Sequence, residues 1–496
     1  MGTIDHYING RRVRGQGVHT TSVTNPATGA MVHDVPIATD AEVDQALGAA
    51  RDALPGWRST PLGRRSEVLF RMREVLHAHR EELAELVTGE HGKVRADALG
   101  EVARGLENVE FACGVPSLMK GSFSEQASTG VDVYSIRQPV GTVVGISPFN
   151  FPVMVPMWMF ANAIAAGNTF VLKPSEKDPS VSVRMAELLS EAGVPDGVFN
   201  VVQGDRHVVD ALITDERVDA ISFVGSTPVA ASVHDKGTKL GKRVQALAGA
   251  KNHMVVLPDA DVGMAADAAV SAAYGSAGER CMAVSVVVGV GAVSDELRKE
   301  IEARLPGITI GDGMDPCSEM GPLISEAHRD RVASYIDGAA AQGATVVVDG
   351  RTHPKCAEAG FFLGASLIDG VTPVMDCYRD EIFGPVLCVV RVDTFEEAVA
   401  LVNDNRWGNG AAIFTRDGGA AQRFQSEALA GMIGVNVPIP VPVGYYSFGG
   451  WKDSLFGESR IYGPEGVDFY TRTKVVTSRW PDPATSGVNL GFPQTR

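Results

Sequence analysis

The sequence predicts an α/β chain: a doubly wound, mostly parallel sheet followed by a second α/β unit. Three observations carry this expectation. Between residues 142 and 236, short runs that are apolar throughout alternate with helical segments, as in strands covered on both faces. Gly167 and Gly193 follow two of those helical segments, where helices commonly stop. The alternation then resumes with different spacing from Met254 to Val441.

After a turn-rich opening, residues 40–112 read as helices. Apolar residues recur at threes and fours from Asp40 through Ala53 and again from Gly63 to Val87. Thr142 to Ile146 reads as a buried strand and Pro152 to Ala166 as a helix. Thr169 to Leu172 is the next strand, Ser180 to Ala192 a helix, and Val198 to Val202 a strand. A helix follows Gly204 through Leu212; Ala220 to Val224 and Pro228 to Lys236 repeat the unit. Such a sheet takes its ligand, usually a nucleotide, at the carboxyl ends of its strands. Phe469 to Ser478 alternates β-branched and charged residues like an exposed strand. An uncovered edge strand invites pairing, which points to subunit association. There is no internal repeat.

The 496 residues, 45% of them hydrophobic, allow two to four domains with ample core. A formal net charge of -16 weighs against nucleic-acid binding and against docking on anionic lipid. It leaves room for a local basic pocket. Six cysteines without close pairing fit reduced thiols in a cytoplasmic protein better than a disulfide framework or a metal site. The opening Met1-Gly2-Thr3-Ile4-Asp5-His6 has no basic stretch leading into an apolar core, so no secretory leader is expected. The apolar run from Phe151 to Ala166 holds two prolines and Asn162 and is short for a membrane span, so a buried helix is expected.

Cys281 is the candidate nucleophile. It follows the small-residue stretch Ala272 to Gly278, which leaves little bulk to block a substrate, and Arg280 beside it can favour the thiolate. The other reading of a lone cysteine is a buried, inert thiol. No G-x-G-x-x-G fingerprint occurs at any strand–helix turn. Lys173-Pro174-Ser175-Glu176 follows one strand instead, and Gly225-Ser226-Thr227 another. Gly225 lets backbone approach a ligand, and the helix after it offers unpaired N–H groups to a pyrophosphate. Lys173 and Glu176 stand where a ribose would be gripped, and a carboxylate there favours NAD over NADP. Either motif is otherwise a solvated loop. Asn150, within Pro148-Phe149-Asn150-Phe151-Pro152, either donates to a developing oxyanion together with the Cys281 N–H or caps the following helix.

Together these pieces resemble the aldehyde dehydrogenase superfamily over nearly the whole chain. The resemblance rests on the segments around Asn150, Lys173 and Gly225, on Cys281, and on Glu381-Ile382-Phe383-Gly384-Pro385 and Ser447-Phe448-Gly449-Gly450. It implies Cys281 as nucleophile and Asn150 as oxyanion donor. It also implies a cofactor site of Phe149, Lys173 and Glu176 (adenosine ribose), Gly225 and Ser226 (pyrophosphate), and Glu381 with Phe383 (nicotinamide ribose and ring). The implied organisation is an NAD-binding domain of residues 1–120 and 139–248 and a catalytic domain of 249–466. Residues 121–138 and 467–496 would be oligomerisation strands and tail, in a homotetramer built as a dimer of dimers.

The superfamily's general base is a glutamate opening a Glu-Leu-Gly-Gly-Lys motif. The matching run here is Leu247-Ala248-Gly249-Ala250-Lys251, and leucine cannot accept a proton. Ala230 likewise stands where relatives commonly carry glycine. The missing base, with Gly249-Ala250-Lys251-Asn252-His253, is similar to the CoA-acylating branch that oxidises methylmalonate or malonate semialdehyde with NAD. In that branch coenzyme A is the co-substrate, carbon dioxide is lost, and two arginines meet the substrate carboxylate, matching Arg104 and Arg280 here. From its own surroundings Arg104 reads as a solvated residue of a charged helix. Two alternatives stand beside this reading. One is a hydrolytic NAD-dependent aldehyde dehydrogenase using another carboxylate, such as Glu381, as base. The other is a non-catalytic protein that keeps the fold.

Overall fold

Five parallel strands form the heart of the first sheet, in the lateral order Phe199–Val201, Thr169–Lys173, Thr142–Ile146, Val218–Val224, Arg243–Leu247. In chain order this is 3-2-1-4-5, so the winding reverses between Thr142–Ile146 and Val218–Val224. The reversal opens a crevice at the carboxyl ends of those two strands. His6–Ile8 and Arg11–Val13 extend one edge antiparallel, and Leu455–Phe456 the other. Side chains alternate across the sheet: Val144, Val171 and Ile221 join one apolar cluster, Val143, Phe170 and Leu172 another. The computed structural model describes residues 2–484, 487, 488, 490 and 491.

The expected strands and helices are present, with boundary shifts that have physical causes. Gly167, at φ 97°, stops helix Met154–Ala166, every residue of which is buried. That helix begins at Met154 rather than Pro152. Glu101, from helix Arg95–Cys113, supplies its cap by accepting from the N–H groups of Val153 (2.7 Å) and Met154 (3.1 Å). The expected Gly63–Val87 helix is two, Leu62–Ala78 and Arg80–His91. Between them His79 leaves helical geometry (φ -98°, ψ 13°) and its ring meets Glu82 at 2.7 Å. Ala230 is fully buried within an apolar cluster, so its methyl is packed.

A second sheet of seven strands runs Thr345–Val348, Ser366–Asp369, Val386–Val392, Val284–Val290, Asn252–Val256, Gly410–Phe414, Met432–Val435. Only the Thr345–Val348 pairing is antiparallel. Residues 248–251 join the two sheets, since Leu247 ends a strand of the first and Asn252 begins one of the second. Thr471–Arg479 pairs with Val131–Pro139, which pairs in turn with Phe123–Ser128. The C-terminal strand is thus an edge with Val475 exposed. Residues 485, 486, 489 and 492–496 of the expected tail lie outside the described residues. No helix among the described residues is long and apolar enough to cross a membrane.

Candidate active site

The crevice at the winding reversal is a cleft of about 630 Å³, lined among others by Phe149, Lys173, Glu176, Gly225, Ser226 and Val229. It brings together five of the residues expected to hold the cofactor. Lys173 Nζ lies 3.2 Å from Glu176 Oε2. Burial works against the Glu176 charge, but Lys173, a backbone hydrogen bond and Lys177 outweigh it and keep its carboxyl below the usual range. Gly225 turns tightly against Phe223: a Cβ there would lie 2.6 Å from that ring. Ser226 is the N-cap of helix Thr227–Lys239 but its side chain makes no capping bond, leaving first-turn N–H groups to an incoming anion. Thr227 Oγ1 is already committed, accepting from the N–H of Gly249 and from Trp407. Pyrophosphate and ribose of a dinucleotide therefore fit what the cleft offers.

Cys281 sits just ahead of strand Val284–Val290, at the amino end of the second sheet. Two amides fix its backbone, with Asn252 Nδ2 2.9 Å and Asn409 Nδ2 3.2 Å from its carbonyl oxygen. Sequence reasoning missed this pair, although Asn252 belongs to a segment already singled out. Of the small residues before the cysteine, Ala273 and Gly278 line a small cavity together with it; the others shape the turn. Ser276 (φ 53°) and Ala277 (φ 51°) are buried and left-handed, and so is Gly278 (φ 75°). A side chain on Gly278 would strike the Gly384 carbonyl. Small size there serves the turn. Arg280 does favour the thiolate, but weakly: burial and the nearby Glu381 charge push the thiol up to about 12.

Asn150 does not cap the helix, whose N-cap is Val153. Its side-chain Nδ2 donates to the Glu279 carbonyl at 3.1 Å, so the amide points into the turn that carries Cys281. Its own carbonyl accepts from buried Lys93 Nζ at 2.6 Å, and Lys93 pairs with Glu101 at 2.8 Å. Beneath this turn lies a cluster that the sequence did not announce. Glu279 is buried, 3.7 Å from His91 and 3.4 Å from His328, and burial raises its carboxyl to about 8. Phe149 stacks on His91 at 6.0 Å and meets Phe383 edge-on at 5.9 Å. Phe383 holds φ 60°, and its carbonyl accepts from His328 Nε2 at 2.7 Å.

Glu381 Oε1 accepts from the Ala250 N–H at 2.9 Å, and burial lifts its carboxyl to about 7. Leu247 is buried in an apolar cluster against which Cys281 also packs. Lys251 is structural: its ammonium donates to the carbonyls of Cys377 (2.7 Å) and Asp380 (2.6 Å), anchoring the approach to Glu381. His253, which burial lowers to about 3, meets the Tyr378 hydroxyl at 2.9 Å. Both arginines expected at a substrate carboxylate hold carboxylates of this chain. Arg280 pairs with Asp97 at 2.6 Å. Arg104 pairs with Glu107 at 2.7 Å and donates to the Pro442 carbonyl at 2.6 Å.

The chain is 53% identical to the malonate-semialdehyde dehydrogenase of Pseudomonas aeruginosa, over 98% of each chain. It is 49% identical to malonate-semialdehyde dehydrogenase 2 of Geobacillus kaustophilus, covering 96% of this chain and 99% of that one. The crystal structure of methylmalonate-semialdehyde dehydrogenase from Oceanimonas doudoroffii superimposes with a TM-score of 0.96 at 51% identity, over 98% of this chain and 99% of that one. A Sinorhizobium meliloti structure complexed with NAD gives the same TM-score at 49% identity and the same coverage. Residues 13–476 match the Aldehyde dehydrogenase family, and with that match and these relatives the chain belongs to the aldehyde dehydrogenase family.

Proposed function

We propose that the protein oxidises methylmalonate semialdehyde or malonate semialdehyde with NAD and transfers the acyl group to coenzyme A, with loss of carbon dioxide. The observation that carries this reading is Leu247, an aliphatic side chain buried against the Cys281 cluster, where a hydrolytic relative would place a proton acceptor. The names of the relatives and the NAD bound in the Sinorhizobium meliloti structure supply the substrate class and the cofactor.

In this reading Phe149, Lys173, Glu176, Gly225 and Ser226 hold NAD in the cleft, and Glu381 with Phe383 orients its nicotinamide end. NAD supplies the hydride acceptor. The Cys281 sulfur adds to the aldehyde carbon, its proton passing to water, while the Asn150 amide donates to the oxyanion that forms. Asn252 and Asn409 keep the Cys281 backbone from turning away. Oxidation leaves a thioester on Cys281. Arg104 and Arg280 exchange Glu107 and Asp97 for the substrate carboxylate, which a planar guanidinium suits. A carboxylate β to the thioester carbonyl can leave as carbon dioxide because the carbanion is delocalised, and that carbanion then takes a proton from water. With no base at position 247 the acyl group waits for the thiol of coenzyme A. A homotetrameric assembly in the cytoplasm is part of the same reading, supported by the exposed edge strand Thr471–Arg479.

One observation favours the hydrolytic alternative: Glu381, raised to about 7, is near enough to influence the Cys281 thiol. Product analysis separates the two. With semialdehyde, NAD and CoA, the acyl-CoA ester is expected and turnover stops when CoA is omitted. Steady NADH formation without CoA, giving free acid, overturns the proposal.

A further inference from the structure

The Pro442 carbonyl is gripped from two sides, by the Tyr462 hydroxyl at 2.9 Å and by Arg104 Nη2 at 2.6 Å. Tyr462 is 1% exposed and sits at φ 45°, a backbone region that favours glycine. Strain of that kind persists where the surroundings over-determine it, and it gathers at ligand clamps. The Tyr462 ring packs edge-on against Trp158 at 4.9 Å and beside Phe448 at 6.1 Å. All three rings belong to the apolar cluster that meets Cys281. Pro442 belongs to a proline-punctuated strap that presses on helix Arg95–Cys113, so closely that a Cβ on Gly444 would lie 2.8 Å from the Glu107 carbonyl.

We propose that Tyr462 is a positioning residue for substrate selection. By holding the Pro442 carbonyl it fixes the strap, and through the strap it fixes Arg104, the arginine proposed above for the substrate carboxylate. The preference for an aldehyde that carries a second carboxylate then depends on a hydroxyl that never touches that carboxylate. The inference rests on the carboxylated substrate proposed above. Without the hydroxyl, the strap loses one of its two anchors at Pro442 and Arg104 follows the strap.

The test is Tyr462→Phe, which keeps the ring and removes the donor. kcat/KM is measured for malonate semialdehyde and for propanal on the full-length protein with NAD and CoA. The ratio of the two falls at least about threefold, the value of one buried hydrogen bond, mostly through KM of the carboxylated substrate. Pro442→Ala loosens the strap without touching either donor and lowers the same ratio. An unchanged ratio in both variants, or equal losses on both aldehydes, overturns the inference. A wild-type protein with no preference for the carboxylated aldehyde sinks the substrate reading instead, so the two failures are distinguishable.

Discussion

Glu381 accepts a hydrogen bond from the backbone N–H of Ala250 at 2.9 Å, which ties the segment linking the two sheets to the loop that would face the nicotinamide. The same bond occupies one oxygen of a carboxyl whose charge reaches Cys281, and the place of the usual base is left to Leu247. Leu247→Glu restores an acid there. The fraction of product released as free acid rather than CoA ester should rise several-fold, read by chromatography at fixed CoA. An unchanged fraction removes base loss as the reason for CoA dependence.

Arg104→Ala should cost a carboxylated semialdehyde about 10- to 100-fold in kcat/KM, the worth of a charge-assisted hydrogen bond, while propanal loses far less. Parallel kinetics on the two aldehydes check this. Equal losses would return Arg104 to the role its Glu107 pairing suggests, a surface ion pair.

Burial raises the Cys281 thiol from its ordinary 9.0 to about 12, so in the cofactor-free protein the thiolate fraction grows about tenfold per pH unit up to that value. Alkylation of Cys281 by iodoacetamide, followed by peptide mass spectrometry, should climb from pH 7 to pH 10 without levelling. A plateau near pH 8 would mean that the site activates the thiol before any ligand arrives.

Glu279 is raised from 4.5 to about 8, chiefly by burial. Between those values the folded chain holds a proton that the unfolded chain has released, so this group's contribution to stability falls as pH rises from about 4.5 to about 8. Glu279→Gln can still accept from the Ile324 N–H, as Oε1 does at 3.2 Å, and carries no charge. The variant should melt higher than wild type at pH 8 and show a shallower slope of Tm between pH 5 and 8. A slope as steep as that of wild type would assign the proton to another group.

The strand Thr142–Ile146 was legible to the residue, because Gly141 and Ser147-Pro148 bound a short run rich in β-branched residues. The stops at Gly167 and Gly193 were equally plain, since both glycines take the left-handed conformation. The break at His79 was not, because neither glycine nor proline marks it. Cys281, Asn150 and the cleft residues were legible as motifs because each lies in a short run whose neighbours are fixed by the turn it makes. The cluster of His91, Glu279 and His328 was not, since its members come from three distant segments and meet only after the sheets assemble. The partners of Arg104 were hidden for the same reason: Pro442 lies 338 residues further along.

The left-handed run Ser276-Ala277-Gly278 also limits how this enzyme can be evolved in the laboratory. Branched or bulky residues at those three positions would unfold the turn before they altered which aldehyde is accepted, so randomising them yields mostly dead clones.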